Sequence, residues 1–351
     1  MRNKINCFIA LIFVALKLNT YSNIRLPQLV SYNMVSQSNA KIKLWGWASP
    51  EKKVNVKFIG KSYRALANGT GNWLTKAGLF KSGGPYQMLI TGENKIDLNL
   101  RGDWQYMVGQ VYSPISFTGI NPFVGQNWPT GPYNTMVAPA INYTVKSMVW
   151  YQGKTNSGKP AEYLKFLPSL IADWRAKWQQ DNLPFLFVRL PDFIKATYSP
   201  VGSYWAETRW RPFKTLAVPN TAMAVAIDPG KWNDIYPLDK KNIGNRLVWV
   251  APHLTCNNLT LVYSGPVYQS CKTEGNKLIL SFTETESGLM VKGGGELQYF
   301  AKAGANKKYI CAKATIDGNK VIVRNDAVPH PVYVRYAWAD NPDGDNLHKN
   351  V

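Results

Sequence analysis

The sequence predicts an α/β fold in which a short parallel sheet is flanked by N-terminal and C-terminal antiparallel β domains. Three observations carry this. Hydrophobicity alternates with period 2 between residues 24 and 100, as in half-buried strands. After residue 147 the pattern changes to short runs such as Phe185-Leu186-Phe187-Val188, apolar on both faces, separated by stretches of helical period. After residue 254 short alternating strands return, with turn signals at Gly275-Asn276, Gly293-Gly294-Gly295 and Asp317-Gly318-Asn319. The boundaries read from these changes are a signal peptide over 1–22, an N-terminal β domain over 23–100, an α/β domain over 101–253 and a C-terminal β domain over 254–351.

The chain has 351 residues, 45% of them hydrophobic and 13% aromatic, which is enough to fill several cores and excludes a disordered chain. Met1-Arg2-Asn3-Lys4 is a positive start, and the apolar run from Ile5 to Leu16 is too short to span a bilayer. It reads as a signal peptide cut near Thr20 to Ser22. With no later run of about 18 apolar residues, a protein exported to the periplasm or the extracellular space without a transmembrane segment is expected.

Removal of the leader takes Cys7 and leaves Cys256, Cys271 and Cys311: either one bridge with a free thiol, or three buried thiols. There is no C-x-x-C pair, and the histidines are His253, His330 and His348, so no metal site and no cofactor are expected. The net charge of +20 comes mostly from scattered lysines. It reads as a solvated surface or as a field that attracts acidic glycans, anionic lipid or nucleic acid, and no nucleic-acid motif accompanies it.

Residues 41–47 and 53–59 are period-2 strands split by the turn Ser49-Pro50-Glu51, and Gly83-Gly84-Pro85 precedes a strand over 86–90. Ser36-Gln37-Ser38-Asn39 looks like the nucleophile block of some esterases. Such a serine needs a glycine-bearing strand-to-helix turn, whereas here Ser36 takes the glycine position and a strand follows. Between Arg101 and Pro139, Gly, Pro, Asn and aromatic residues alternate, which argues a long irregular segment.

Ser147 to Trp150 reads as a buried strand end. Pro160 opens a helix with Tyr163, Phe166, Leu167, Leu170, Trp174 and Trp178 on one face and a kink expected at Pro168. Residues 185–188 form a buried strand, 203–214 a helix, 223–227 a further strand and 239–249 a third helix. Strands of the C-terminal domain are expected at 261–263, 278–282, 321–323 and 332–336.

Ligands of a parallel sheet bind beyond the carboxyl ends of its strands. Three loops qualify. The turn after Trp150 offers Gln152 and Asn156 as donors with Gly153 for close approach, Pro191 and Asp192 follow the second strand, and Asp228 to Pro237 follow the third.

Several blocks together resemble bacterial sialate O-acetylesterases of the SGNH hydrolase superfamily: Trp150-Tyr151-Gln152-Gly153, Asp173-Trp174-Arg175, Leu183-Pro184-Phe185-Leu186-Phe187-Val188, and Trp232-Asn233-Asp234-Ile235 ahead of Pro237-Leu238. Leu44-Trp45-Gly46-Trp47-Ala48 before them, with Tyr263-Ser264-Gly265-Pro266 and Val334-Arg335-Tyr336-Ala337-Trp338 after, are similar to the family's accessory β domains. The resemblance implies a carbohydrate esterase fold and hydrolysis of acetyl esters on sugar hydroxyls. A serine would attack, a carboxylate-held histidine would move the proton, and donors in the turn would stabilise the oxyanion.

Against that pattern this chain departs in four places. The Gly-Gln-Ser-Asn block is absent. The chain passes from Asn94-Lys95-Ile96 to Gly102-Asp103-Trp104, as if the first part of the α/β domain were deleted. Tyr236 stands at the histidine position, and Asn233 where a carboxylate would support it. Lys154 and Thr155 replace an acidic residue and a serine. Gln152, Gly153 and Asn156 remain as oxyanion or substrate donors, with Asp234 or Asp228 as the remnant acid. Gln152 and Asn156 alternatively bond the backbone of their own turn, and Asp234 alternatively caps the following helix.

The resemblance therefore implies a shortened SGNH-type sheet, and a sialate O-acetylesterase-like protein that is inactive or severely impaired, a pseudoenzyme with acetylated or sialylated glycans as partners. A non-catalytic glycan-binding or scaffold protein is the alternative. Oligomeric state has no signature in the sequence.

Overall fold

The computed structural model describes residues 23–32, 34–92, 95–100, 130–256 and 263–350. The expected signal peptide, most of the irregular stretch after Arg101, and Leu261 and Val262 lie outside the described residues. The chain divides into two compact units, Met1–Val145 and Lys146–Val351. The α/β elements and the C-terminal strands share a unit, joined by the hydrogen bonds of Arg209 and Ser203 described below.

The first unit holds β1 (Lys41–Trp47), β2 (Lys53–Phe58), β3 (Lys61–Leu66), β4 (Asn72–Leu79), β5 (Tyr86–Thr91) and β6 (Lys95–Leu100). β1 pairs antiparallel with β4, and the other four form an antiparallel sheet of order β3-β2-β5-β6. In β2 the side chains Val54, Val56 and Phe58 are buried while Lys53, Asn55 and Lys57 are exposed, the period read from the sequence. They pack with Leu44, Trp73, Met88 and Ile90 into one core. Ser38 lies half-buried in the turn before β1, followed by a strand and not a helix.

The second unit begins with β7 (Met148–Trp150), α1 (Pro160–Trp178), β8 (Phe185–Val188), α2 (Tyr204–Thr215), β9 (Thr221–Ala224) and α3 (Lys240–Thr255). β7, β8 and β9 form the expected parallel sheet, with β8 in the centre. All four residues of β8 are buried because helices cover both of its faces. Phe185 and Phe187 pack on Tyr163, Leu167 and Ile171 of α1, while Leu186 packs with Val250 and Val188 with Ile243 of α3. Each such side chain contributes about 1.5–3 kcal/mol. Among the described residues β7 stands at the edge of this sheet, and its Val149 is 56% exposed.

Local differences have physical reasons. On α1 the buried face runs through Tyr163, Leu167, Ile171 and Trp178, so Phe166 points out at 54% exposure and Ile171 takes the place assigned to it. Tyr163, Leu167 and Ile171 follow one another at four-residue steps and Trp178 comes seven residues later, both spacings close to whole helical turns. Pro168 sits inside α1 without ending it. β9 stops at Ala224, three residues earlier than expected. Asp239, not Asp234, caps α3, its carboxylate accepting from the Asn242 amide at 3.2 Å.

The remaining strands are β10 (Val267–Glu274), β11 (Lys277–Thr283), β12 (Leu289–Val291), β13 (Phe300–Ala303), β14 (Ile310–Cys311), β15 (Lys313–Asp317), β16 (Lys320–Arg324), β17 (Tyr333–Tyr336) and β18 (Leu347–Lys349). They form sheets of order β10-β11-β16-β15, β14-β13-β17 and β12-β18 around Leu278, Leu280, Phe300, Val321 and Val323. Cys256, Cys271 and Cys311 are free and exposed, so neither arrangement expected of the thiols holds. They sit on a helix end and two different strands, none facing a core.

Candidate functional site

The turn after β7 is built on Gly153, whose φ of 143° suits glycine alone, and a Cβ there would meet Tyr163 and Leu190 at 3.5 Å. The Tyr163 hydroxyl, projecting from α1, donates to the Gln152 carbonyl oxygen at 2.8 Å and fixes the turn against the helix. Gln152 Nε2 donates to Asn156 Oδ1 at 2.8 Å. The two amides therefore bond each other, in place of the backbone bonds expected as the alternative, and Gln152 keeps one N–H and Asn156 two for a ligand oxygen.

The loop after β9 comes to this turn through Lys154. Its Nζ lies 4.0 Å from the centroid of the Tyr236 ring and 5.8 Å from that of Tyr151, while Lys240 Nζ stands 5.1 Å from the Tyr151 ring. Burial pulls the Lys154 ammonium down to about 8, Lys240 adds to the shift, and Asp234 opposes it. Asp234 accepts from the Tyr236 amide at 2.7 Å, an Asx turn that shapes the loop. Gln152, Gly153, Asn156, Asp234 and Tyr236 are thus brought to one locality, with Lys154, Lys240 and Tyr151 added to those named from the sequence. The signal for Lys154 was its replacement of an acidic residue. Lys240 carried none.

Asp228 is held elsewhere. Burial disfavours its charge, but Arg246 grips it with two bonds of 2.6 Å and the balance leaves its pKa lowered. Its carboxylate is thus engaged in an ion pair with Arg246. Arg246 also donates to the Val225 carbonyl at 2.6 Å, tying α3 to the end of β9.

Beneath these loops is a charged cluster that no local motif reveals. Arg209 of α2 is fully buried. Nη1 donates to the Asp340 carbonyl at 2.9 Å, and Nη2 to the carbonyls of Ala337, at 3.2 Å, and of Ala339. Ser203 Oγ caps α2 and bonds Asp340 Oδ1 at 2.5 Å. Burial lowers the Arg209 pKa and Arg189 adds to this, while Asp192, Asp345 and Asp340 oppose it. Burial raises Asp192. It raises Asp345 to about 6, with Asp228 adding to the shift and Arg209 opposing it. Gly230 lies so close to Asp192 that a Cβ would fall 2.4 Å from the Asp192 carbonyl oxygen, so only glycine lets the third loop pass the second.

None of the three histidines is at Tyr236. His253 stacks on Tyr263 at 3.9 Å, His330 is exposed, and His348 sits in β18. Burial and Lys292 lower the His348 pKa, while Asp228 raises it. Among the described residues no His, Cys, Asp and Glu group is arranged to hold a metal ion, and no helix is long and apolar enough to cross a membrane.

Comparison with known proteins places this locality in a family context. Residues 104–241 match the family model for carbohydrate esterases, sialic acid-specific acetylesterase. The mouse sialate O-acetylesterase is 28% identical over 240 residues, covering 61% of this chain and 44% of the mouse protein. The human sialate O-acetylesterase is 29% identical over 178 residues, covering 44% of this chain and 34% of its own. The chain spans under half the length of the curated relatives it matches. Among solved structures, a carbohydrate acetylesterase from Xanthomonas citri aligns with a TM-score of 0.81 and 29% identity over 93% of this chain and 96% of that one. The resemblance carried by the sequence blocks is therefore present in sequence and in fold.

Proposed function

From a chain similar to the sialate O-acetylesterases, we propose an exported protein with a shortened SGNH-type α/β portion that holds O-acetylated or sialylated glycans at the turn after β7. As a hydrolase it is inactive or severely impaired. The observation that carries this reading is Lys154 over the Tyr236 ring at 4.0 Å, where the resemblance calls for a histidine. Ester hydrolysis by a serine needs a neighbouring base to take the hydroxyl proton. An ammonium with a pKa of about 8 is mostly protonated at pH 7, so it supplies charge and hydrogen bonds and accepts no proton. Beside Lys240, and with the spare N–H groups of Gln152 and Asn156, it suits the carboxylate and acetyl oxygens of an acidic sugar.

Titration of the purified chain with an O-acetylated sialic acid tests this, alongside turnover of 4-nitrophenyl acetate with contaminating esterases excluded. The expected result is binding that weakens as pH rises through about 8, because Lys154 loses its charge there. In Lys154→Met that pH dependence disappears, and neither protein turns over the ester. Ready turnover of the ester would overturn the inactive reading, with Ser38→Ala then showing whether Ser38 is its source, and binding indifferent to pH and to Lys154 would overturn the assignment of the site.

A further inference from the structure

A cavity of about 1070 Å³ opens inside the second unit, between residues 197–201 and strands β11, β13, β15 and β16. It includes no residue of the turn after β7 or of the loop after β9. Lys277, Arg324 and Lys313 on its wall are neighbours in register: Lys277 of β11 pairs with Arg324 of β16, which pairs on its other side with Lys313 of β15. Three cations therefore stand in one row across three strands. Like charges directly opposite destabilise a sheet, and among the described residues no carboxylate comes within ion-pair distance of any of the three. The pairing of these strands does not require the row, and an anion laid across it would relieve the repulsion.

Aromatic residues also line the cavity. Tyr198 is 71% exposed, and its ring centroid lies 6.0 Å from that of Tyr299 at an interplanar angle of 31°. Arg335, also on the wall, has its guanidinium 3.7 Å from the Tyr309 ring centroid and 4.6 Å from that of Trp338. A guanidinium held between two rings is oriented in advance and presents a planar fork that matches a carboxylate. Aromatic faces suit the apolar face of a pyranose ring. The volume is at the upper end for small-ligand sites, which favours a short chain over a polymer tract.

We propose that this cavity binds an acidic oligosaccharide, with carboxylates on the Lys277, Arg324 and Lys313 row and on Arg335 and a sugar ring against Tyr198 and Tyr299. The site is separate from the turn after β7 and does not depend on the reading of that turn. Cys311 lines it, free and exposed, while Cys256 and Cys271 do not line it, so the thiols give a built-in footprint.

The test uses the full chain with tetragalacturonate, its fully methyl-esterified form and a single-stranded tetranucleotide, read by calorimetry and by maleimide labelling. Tetragalacturonate is expected to bind, to weaken at about 0.5 M salt, and to slow labelling of Cys311 without changing Cys256 or Cys271. The ester, uncharged but alike in shape, should bind at least about tenfold more weakly, as should tetragalacturonate to Lys313→Glu combined with Arg324→Glu. If that variant fails to fold, the footprint on the natural protein decides alone. Equal binding of acid and ester, unprotected Cys311, or tighter binding of the tetranucleotide would each overturn the proposal.

Discussion

Replacing Arg209 by Met removes a fully buried cation and leaves the carbonyls of Ala337, Ala339 and Asp340 without their donor. Met keeps much of the side-chain volume, so lost charge and lost hydrogen bonds dominate over a cavity. Removing one partner from a buried charged cluster costs about 3–5 kcal/mol, because Asp192 and Asp345 then lose a compensating cation. For a unit of this size that lowers Tm by roughly 10 °C. The loss should also depend on pH. The folded pKa of Asp345 is raised from 3.8 to about 6, so its contribution to stability is fully present below its unfolded value and is lost as pH rises through about 6. Arg209 holds that pKa down, and without it the carboxyl shifts higher still. Urea unfolding of Arg209→Met, followed by tryptophan fluorescence, should therefore show a smaller loss at about pH 5, with Asp345 protonated, than at about pH 7.5. Unchanged stability, or a loss equal at both pH values, would refute the view that Arg209 and these carboxylates form one electrostatic unit.

Two further substitutions probe the local geometry. Gly153→Ala forces a Cβ onto a backbone at φ 143° against Tyr163 and Leu190, and should cost about 1–3 kcal/mol in thermal unfolding while disordering the Gln152 and Asn156 pair. Asp239→Ala removes the cap of α3 and should cost about 1 kcal/mol, whereas Asp234→Ala should leave α3 stability unchanged. Equal effects of the two aspartates in denaturant titrations would count against this assignment of the cap.

Much of the architecture was legible from residue periodicity because it is set by local burial. The alternation in β2 and the unbroken apolar run of β8 each specify how many faces of a strand are covered, and the structure covers them so. Gly153 was legible as well, since a tight turn after a buried strand leaves few residue types a choice. Choosing between neighbours was harder. Asp234 and Asp239 both precede α3, and propensity alone does not tell an Asx turn from a helix cap, because the same carboxylate serves either. Phe166 and Ile171 were exchanged for a similar reason: a helical face read from few residues is uncertain by one position.

By itself the sequence determined the strand and helix periods, the parallel sheet around β8, the family resemblance, and the turn at Gln152 and Gly153. Only the tertiary structure decided the electrostatics. Lys154 over Tyr236, Asp228 in the grip of Arg246, Arg209 beneath the loops, and three cations abreast across β11, β16 and β15 all join residues far apart in the chain. Hydrophobic burial leaves a periodic trace because it acts on every residue of an element. A charge interaction depends on a single distance between two side chains, and folding alone sets that distance.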